Sequence, residues 1–202
     1  AENGALLSEL LDQLLVLSPQ PPERLVLVGH SMGGLVVRSA TLQGRDALSC
    51  ASGRRGAPWR ELLTDVICLG SPHEGAPLAK LATTLGEVLG HVDAAAADVG
   101  REILAARSAG IRDLHHGAPL APEESWPRLQ EEHEGGPRQL FIGSTVTRDA
   151  QHPLGDLAGD LLVRPESATA PKTAARRLVL GGLDHLELLT HPRVYEAIVE
   201  HL

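Results

Sequence analysis

A serine inside a glycine-rich turn is the first candidate for chemistry. Ser31 lies in the run Gly-His-Ser-Met-Gly-Gly of residues 29–34, which contains the pattern G-x-S-x-G. An apolar run precedes it at residues 25–28, and an apolar helical pattern follows it from Gly34. A sharp strand-to-helix turn lifts a serine hydroxyl out of a sheet, and the amino end of the helix stabilises negative charge. The context therefore predicts that Ser31 is a nucleophile, with a phosphate-binding or structural glycine turn as the alternative.

A serine hydroxyl needs an adjacent base at neutral pH, and ten histidines compete for that role. His185 differs from the others because it follows the last apolar run, residues 178–180, in a loop before a C-terminal helical segment. Such a loop can place an imidazole over the edge of a sheet, so His185 is the predicted base; a plain loop or capping histidine is the alternative. The other histidines considered lie in polar loops or beside helices: His91, His115, His116, His133, His152, His191 and His201.

The carboxylate that orients the base is expected after the preceding strand. Asp149, Asp156 and Asp160 follow the apolar run at residues 140–143. Asp160 is favoured because it opens a short apolar turn that would fix its side chain, whereas Asp149 lies in a polar stretch. Asp156 remains the second choice, and Asp184 is too close to His185 in sequence to orient it.

Alternating elements must position these residues. Short apolar runs that alternate with helical patterns predict βα units and a parallel α/β sheet, with chemistry at the carboxyl ends of its strands. The predicted strands are residues 25–28, 66–69, 140–143 and 178–180, and the predicted helices are residues 4–17, 34–42, 78–89 and 192–202. Residues 43–58 are predicted to form a surface loop, and residues 90–136 a cap or lid, or else an ordinary insertion.

Composition excludes several classes of protein. The chain has 202 residues, a formal net charge of −8 and only 2% aromatic residues. These values disfavour a nucleic-acid-binding module, and no apolar run is long enough for a transmembrane helix. The two cysteines and the His115-His116 pair lack metal-ligand spacing, so we expect no metal and no cofactor.

Four motifs in order carry a family resemblance. They are the Ser31 turn, the run LGSPHEGA at residues 69–76, residues 159–168 around Asp160, and residues 184–195 from Asp184-His185 to Val-Tyr. Together they resemble the α/β-hydrolase superfamily, specifically its lipase-like branch, which includes GPI inositol-deacylase-like and triacylglycerol lipase-like proteins. The order Ser, Asp, His is that of the α/β-hydrolase fold. The acid turn departs from the pattern, since it reads Asp-Leu-Leu where many relatives have Asp-Gly, and Arg164 precedes the proline.

The resemblance implies a fold, a reaction and a set of roles. It implies one α/β-hydrolase domain over residues 1–202, representing the C-terminal portion of the fold, with further strands expected before it. It implies a serine carboxylic-ester hydrolase with a triad of Ser31, Asp160 and His185, and an oxyanion bound by the backbone N–H of Met32. A small-molecule ester or lipid is the expected substrate. Acyl transfer on the same triad, or a non-catalytic domain that binds a lipid or a partner, are the alternatives.

Two further histidines are candidates for lining a substrate pocket. His30 precedes Ser31 directly, and His73 follows a predicted strand in the second motif. For His73 a structural role within its turn is the favoured interpretation.

Overall fold

A parallel sheet forms the centre of the molecule. A computed structural model of the protein describes residues 2–20, 22–46, 59–74, 136–169 and 175–202. Within these residues four parallel strands pair in chain order: β1 (Leu25–His30), β2 (Leu63–Leu69), β3 (Arg138–Thr145) and β4 (Arg176–Gly181). The expected α/β class, with a parallel sheet and flanking helices, is confirmed.

All four predicted strands are present, and three of them begin earlier than their apolar runs. The added residues at the amino ends of β2 and β3 include charged side chains. Asp65 pairs in register with Arg138, and Arg138 Nε lies 2.9 Å from Asp65 Oδ1. Because Asp65 is fully buried, its partner on the neighbouring strand compensates a charge that burial alone would disfavour.

Helices cover the sheet. The described helices are α1 (Glu2–Leu17), α2 (Met32–Asp46), α3 (Trp59–Leu62), α4 (Pro153–Ala158), α5 (Pro165–Thr169), a 3₁₀ turn (Glu187–Leu189) and α6 (Pro192–His201). The expected surface loop at residues 43–58 is wrong at its start, because α2 continues to Asp46; polar residues are compatible with a loop and with the last turn of a helix alike. The predicted helix 78–89 and the predicted cap at residues 90–136 lie outside the described residues, except for Gly136.

Two apolar layers pack against opposite faces of the sheet. Successive strand residues point to opposite faces, so Val66 and Phe141 lie on one side and Ile67 and Ile142 on the other. The first layer joins the sheet to α1, α2 and α3 through Leu11, Val37, Ala40 and Trp59. The second joins it to the 3₁₀ turn and α6 through Leu188, Val194 and Ala197. Burial on both faces explains why the strands read as continuous apolar runs.

The sheet geometry brings the turns after all four strands to one edge. Parallel strands share the direction of their carboxyl ends, so the residues after β1, β2, β3 and β4 are neighbours in space. Ser31, Asp160 and His185 all belong to these segments. None of the helices in the described ranges is long and apolar enough to cross a membrane.

Candidate active site

Ser31 occupies a strained turn between β1 and α2. Its φ is 54°, a left-handed conformation that non-glycine residues rarely adopt. The Ser31 N–H donates to the carbonyl oxygen of Leu69 at 2.8 Å, and the Gly34 N–H donates to the carbonyl oxygen of Ser31 at 3.1 Å. These bonds fix the turn to the end of β2, so the surrounding structure maintains a backbone conformation that costs about 1–3 kcal/mol.

Close packing explains two of the three glycines around Ser31. A Cβ atom on Gly29 would lie 2.5 Å from the backbone nitrogen of Gly34, and one on Gly34 would lie 2.8 Å from Ser71 Cβ. Gly33 differs, because no described atom lies within 4 Å of the position its Cβ would take. Packing therefore requires a residue without a side chain at positions 29 and 34, and among the described residues no atom imposes this requirement at Gly33.

Asp160 is a buried carboxylate with three hydrogen-bond donors. Its Oδ1 accepts the backbone N–H groups of Leu162 at 3.0 Å and Val163 at 2.7 Å, and its Oδ2 lies 2.7 Å from His185 Nδ1. The side chain is fully buried. The two backbone bonds turn the carboxylate so that its second oxygen faces the imidazole. Leu161, between these residues, has a φ of 80°, a conformation that glycine adopts without strain.

The other candidate acids lie elsewhere. Asp149 is exposed and accepts the N–H of Gln151, and Asp156 is exposed in the first turn of α4. Asp184 accepts the N–H groups of Leu186 and Glu187, while the Glu187 side chain accepts the Asp184 N–H at 2.8 Å. This reciprocal capping box shapes the loop of His185. Of the four carboxylates considered, only Asp160 contacts the ring of His185.

His185 is held on both its main chain and its ring. Its N–H donates to the Asp160 carbonyl oxygen at 3.1 Å, and its own carbonyl oxygen lies 2.9 Å from His30 Nε2. The ring lies against Gly70, where an added Cβ would come 3.1 Å from His185 Nδ1 and Cε1. His185 Nε2 is buried and has no hydrogen-bond partner among the described residues. Asp160 thus holds Nδ1 of the His185 ring, whereas Nε2 has no described hydrogen bond.

The fold matches that of known hydrolase structures. The mature lipase BlEst2 of Bacillus licheniformis aligns with a TM-score of 0.59 and 20% identity, covering 98% of this chain and 72% of the lipase. A PGAP1-like alpha/beta domain model matches residues 4–103. The chain has the α/β-hydrolase fold, and its residues 4–103 are similar to the PGAP1-like alpha/beta domain.

Two other solved structures share this fold. The propeptide form of BlEst2 aligns with a TM-score of 0.58 and 19% identity over 98% of this chain, which spans 40% of that longer protein. A thermophilic esterase aligns with a TM-score of 0.50 and 17% identity, over 100% of this chain and 71% of the esterase. No curated protein sequence matches the chain significantly.

His73 lies in the turn after β2 and is fully buried. Its Nδ1 is 2.6 Å from Arg38 Nη1, and its ring packs edge-on against Phe141. The main-chain N–H of His73 donates to the carbonyl oxygens of Ser71 and Ser167. Burial, and then the positive charge of Arg38, hold the pKa of His73 well below 6.5. The ring is therefore neutral at pH 7, and its contacts agree with the favoured structural role in the turn.

Two features of the site have no sequence motif of their own. Arg38 is a buried cation on α2 whose only signal is its place after the apolar run Leu-Val-Val. His30 attaches to a main-chain atom 155 positions away, which leaves no pattern in the sequence. Burial lowers the pKa of His30, although its bond to the His185 carbonyl acts in the opposite direction.

Groups of metal-ligating side chains and the Cys68 thiol are the remaining features of the described ranges that bear on chemistry. There, no group of three or more His, Cys, Asp or Glu side chains is arranged to hold a metal ion. Burial raises the pKa of the Cys68 thiol to about 12, so it is protonated and unreactive. Cys50 lies outside the described residues.

Proposed function

We propose that the chain is a serine carboxylic-ester hydrolase in which Ser31 is the nucleophile, His185 the general base and Asp160 the orienting acid. The observation that carries this proposal is the 2.7 Å contact between His185 Nδ1 and Asp160 Oδ2, both buried beside the Ser31 turn. A carboxylate can only accept, so Nδ1 bears the proton and Nε2 presents its lone pair. That is the tautomer a general base requires.

The proposed reaction has two steps, in which the acyl group is transferred first to Ser31 and then to water. Ser31 Oγ attacks the ester carbonyl carbon while His185 Nε2 takes the hydroxyl proton, and the carbonyl oxygen becomes an oxyanion. Collapse of this intermediate breaks the bond to the alcohol, which leaves with the proton from Nε2. Water, deprotonated by the same nitrogen, then attacks the acyl-serine. The bond between the acyl carbon and Ser31 Oγ breaks, Oγ takes back the proton from Nε2, and the carboxylic acid is released. Asp160 stabilises the imidazolium at each stage and is not itself protonated.

The amino end of α2 would stabilise the oxyanion. Met32 is the first residue of this helix, and the first N–H groups of an α-helix have no intrahelical partner. The Met32 N–H follows the nucleophile directly, which is the position of one oxyanion donor in this fold. The helix dipole adds to its effect.

An ester or lipid of small-molecule size is the proposed substrate. This choice is supported by the lipase and the esterase that share the fold, and by three exposed apolar residues that directly follow the proposed catalytic residues in the sequence. Met32, Leu161 and Leu186 are 44%, 52% and 45% exposed and follow three different strands. Such side chains favour an acyl chain over a charged ligand.

Hydrolysis of p-nitrophenyl butyrate by the chain and by Ser31→Ala tests the proposal. We expect the substitution to reduce the hydrolysis rate to the buffer background. The matched variant Ser18→Ala, whose exposed hydroxyl donates to the Gln20 carbonyl oxygen in the turn after α1, should keep the wild-type rate. A fluorophosphonate should label the tryptic peptide of residues 25–38, which contains Ser31 as its only serine. Equal hydrolysis by Ser31→Ala and wild type, or labelling of another peptide, would contradict the assignment.

A further inference from the structure

His30 links the segment of the proposed nucleophile, Ser31, to the loop of the proposed base, His185. It is the last residue of β1 and directly precedes Ser31. Its Nε2 lies 2.9 Å from the carbonyl oxygen of His185, and the two ring centroids are 4.6 Å apart with the planes inclined by 45°. Because a carbonyl oxygen only accepts, Nε2 carries the proton and His30 is the donor.

We infer that His30 is a positioning residue, which holds the backbone of His185 so that the imidazole stays in register with Ser31. This inference rests on the proposed function. It concerns the loop geometry of the base rather than contact with the substrate.

The hydrogen bonds of His185 show what His30 adds. Asp160 holds the N–H of His185 at 3.1 Å and its Nδ1 at 2.7 Å. Both bonds lead to the same residue, so they fix His185 relative to the acid turn. The bond from His30 is the one described hydrogen bond that attaches His185 to the segment of the nucleophile. It therefore sets the separation of base and nucleophile, which Asp160 alone does not determine.

A small error in that separation has a large kinetic effect. Displacement of a catalytic group by about 1 Å can reduce the rate by about 10²-fold. The Ser31 N–H and the ring of His185 both rest on the end of β2, at Leu69 and Gly70. His30 holds His185 from the side of β1. When His30 is removed, the carbonyl end of His185 is free, the loop moves more, and the ring bond to Asp160 still forms but opens more often.

Amide substitutions separate a positioning role from contact with the substrate. The Nε2 atoms of histidine and glutamine are equally many bonds from Cα, whereas the asparagine amide is one bond shorter. His30→Gln can therefore still donate to the His185 carbonyl, and His30→Asn falls short with the same polarity. We expect kcat on p-nitrophenyl butyrate to fall at least 10-fold in His30→Asn and His30→Ala with KM unchanged, and His30→Gln to recover to within about threefold. His152→Asn, an exposed helix cap on α4, serves as the matched control with wild-type kcat.

A second measurement does not depend on catalysis. The Nδ1–H proton of His185, assigned by its loss in His185→Gln, should exchange with water at least 10-fold faster in His30→Asn than in wild type or His30→Gln. Equal kcat in all variants, equal loss in the Gln and Asn variants, or a change in KM alone would overturn the inference. If wild type hydrolyses no ester but the exchange rates differ as expected, the proposed function fails and the positioning role stands. If wild type is active while exchange and kcat are unaltered in the variants, the positioning role fails and the proposed function stands.

Discussion

Replacing Asp160 by asparagine changes the partner of His185 with almost no change in size. The amide oxygen can still accept the N–H groups of Leu162 and Val163, which Oδ1 accepts now. The amide NH₂ then takes the place of Oδ2 and faces His185 Nδ1. Two donors cannot share this contact, so the imidazole must move its proton to Nε2 and lose the lone pair that acts as base. We expect kcat to fall about 10⁴-fold, equivalent to about 5.5 kcal/mol in the activation barrier.

The same variant should remain folded. Asp160→Asn keeps both backbone bonds of the acid turn and exchanges one charge-assisted bond for a neutral one, so the free energy of unfolding should fall by at most about 2 kcal/mol. Asp160→Ala removes all three acceptor contacts and leaves two buried N–H groups without a partner. Each such group costs about 1–3 kcal/mol, so we expect a loss of about 2–6 kcal/mol. Urea unfolding of both variants measures the difference.

Steady-state kinetics on p-nitrophenyl butyrate would test the expected fall in kcat of Asp160→Asn, with Asp156→Asn as the matched control. Asp156 belongs to the same segment but is exposed on α4, so its variant should keep kcat within about twofold of wild type. Retention of more than about a tenth of wild-type kcat by Asp160→Asn, or a comparable loss in Asp156→Asn, would refute the reasoning.

Three further predictions concern the described geometry, and each is tested by measuring the free energy of unfolding in urea. Gly29→Ala should lower the free energy of unfolding by about 2 kcal/mol or more, because its Cβ would lie 2.5 Å from a backbone nitrogen. The Cβ of Gly33→Ala would meet no described atom within 4 Å, so its free energy of unfolding should be unchanged or rise by up to about 1 kcal/mol through higher helix propensity. The pKa of His73 is held well below 6.5 in the folded protein, so as the pH falls the unfolded chain takes up this proton before the folded one does. The free energy of unfolding contributed by neutral His73 is therefore present above pH 6.5 and is lost progressively below it. His73→Asn keeps an acceptor at the position of Nδ1 and does not titrate, so it should reduce the slope of unfolding free energy between about pH 6.5 and 5 by up to about 1.4 kcal/mol per pH unit. Leu161→Gly should be neutral or stabilising by up to about 1 kcal/mol because it removes a φ of 80°, while Leu157→Gly, inside α4, should cost about 1 kcal/mol.

Each of these expectations has a contradicting result. Equal destabilisation by alanine at Gly29 and Gly33 would show that the turn is not closely packed. An unchanged pH slope in His73→Asn would show that His73 titrates normally in the folded state. A loss in Leu161→Gly as large as in Leu157→Gly would show that the left-handed backbone at Leu161 carries no strain.

The sequence predicted the strands where burial on both faces produced continuous apolar runs, as at residues 66–69 and 140–143. It missed the amino ends of β2 and β3 because these contain charged residues. Asp65 is fully buried, yet a carboxylate in a sequence is normally a sign of solvent. Only the register of the sheet, which sets Asp65 beside Arg138, explains how the strand begins there.

The candidate site was predictable to the extent that its residues follow strands. Ser31 and His185 could be selected by position, but Asp160 could not be separated from Asp156 by composition alone. The distinction lies in backbone bonds from residues 162 and 163, which depend on the three-dimensional path of the loop. The bond of His30 to the main chain of His185 has no counterpart in residue type, so no pattern could have predicted it.

The strand order has a consequence for how the protein is made. Ser31 precedes Asp160 and His185 in the sequence, so its segment leaves the ribosome first, and because β1 to β4 join the sheet in chain order each strand can pair with its predecessor as it emerges. A nascent chain therefore carries a serine without a base until β4 and its loop emerge, and translation proceeds at about 5–20 residues per second. On the proposed roles, an incomplete product ending before His185 would be inert, so hydrolytic capacity would arise only with the synthesis of the last strand and the loop that follows it.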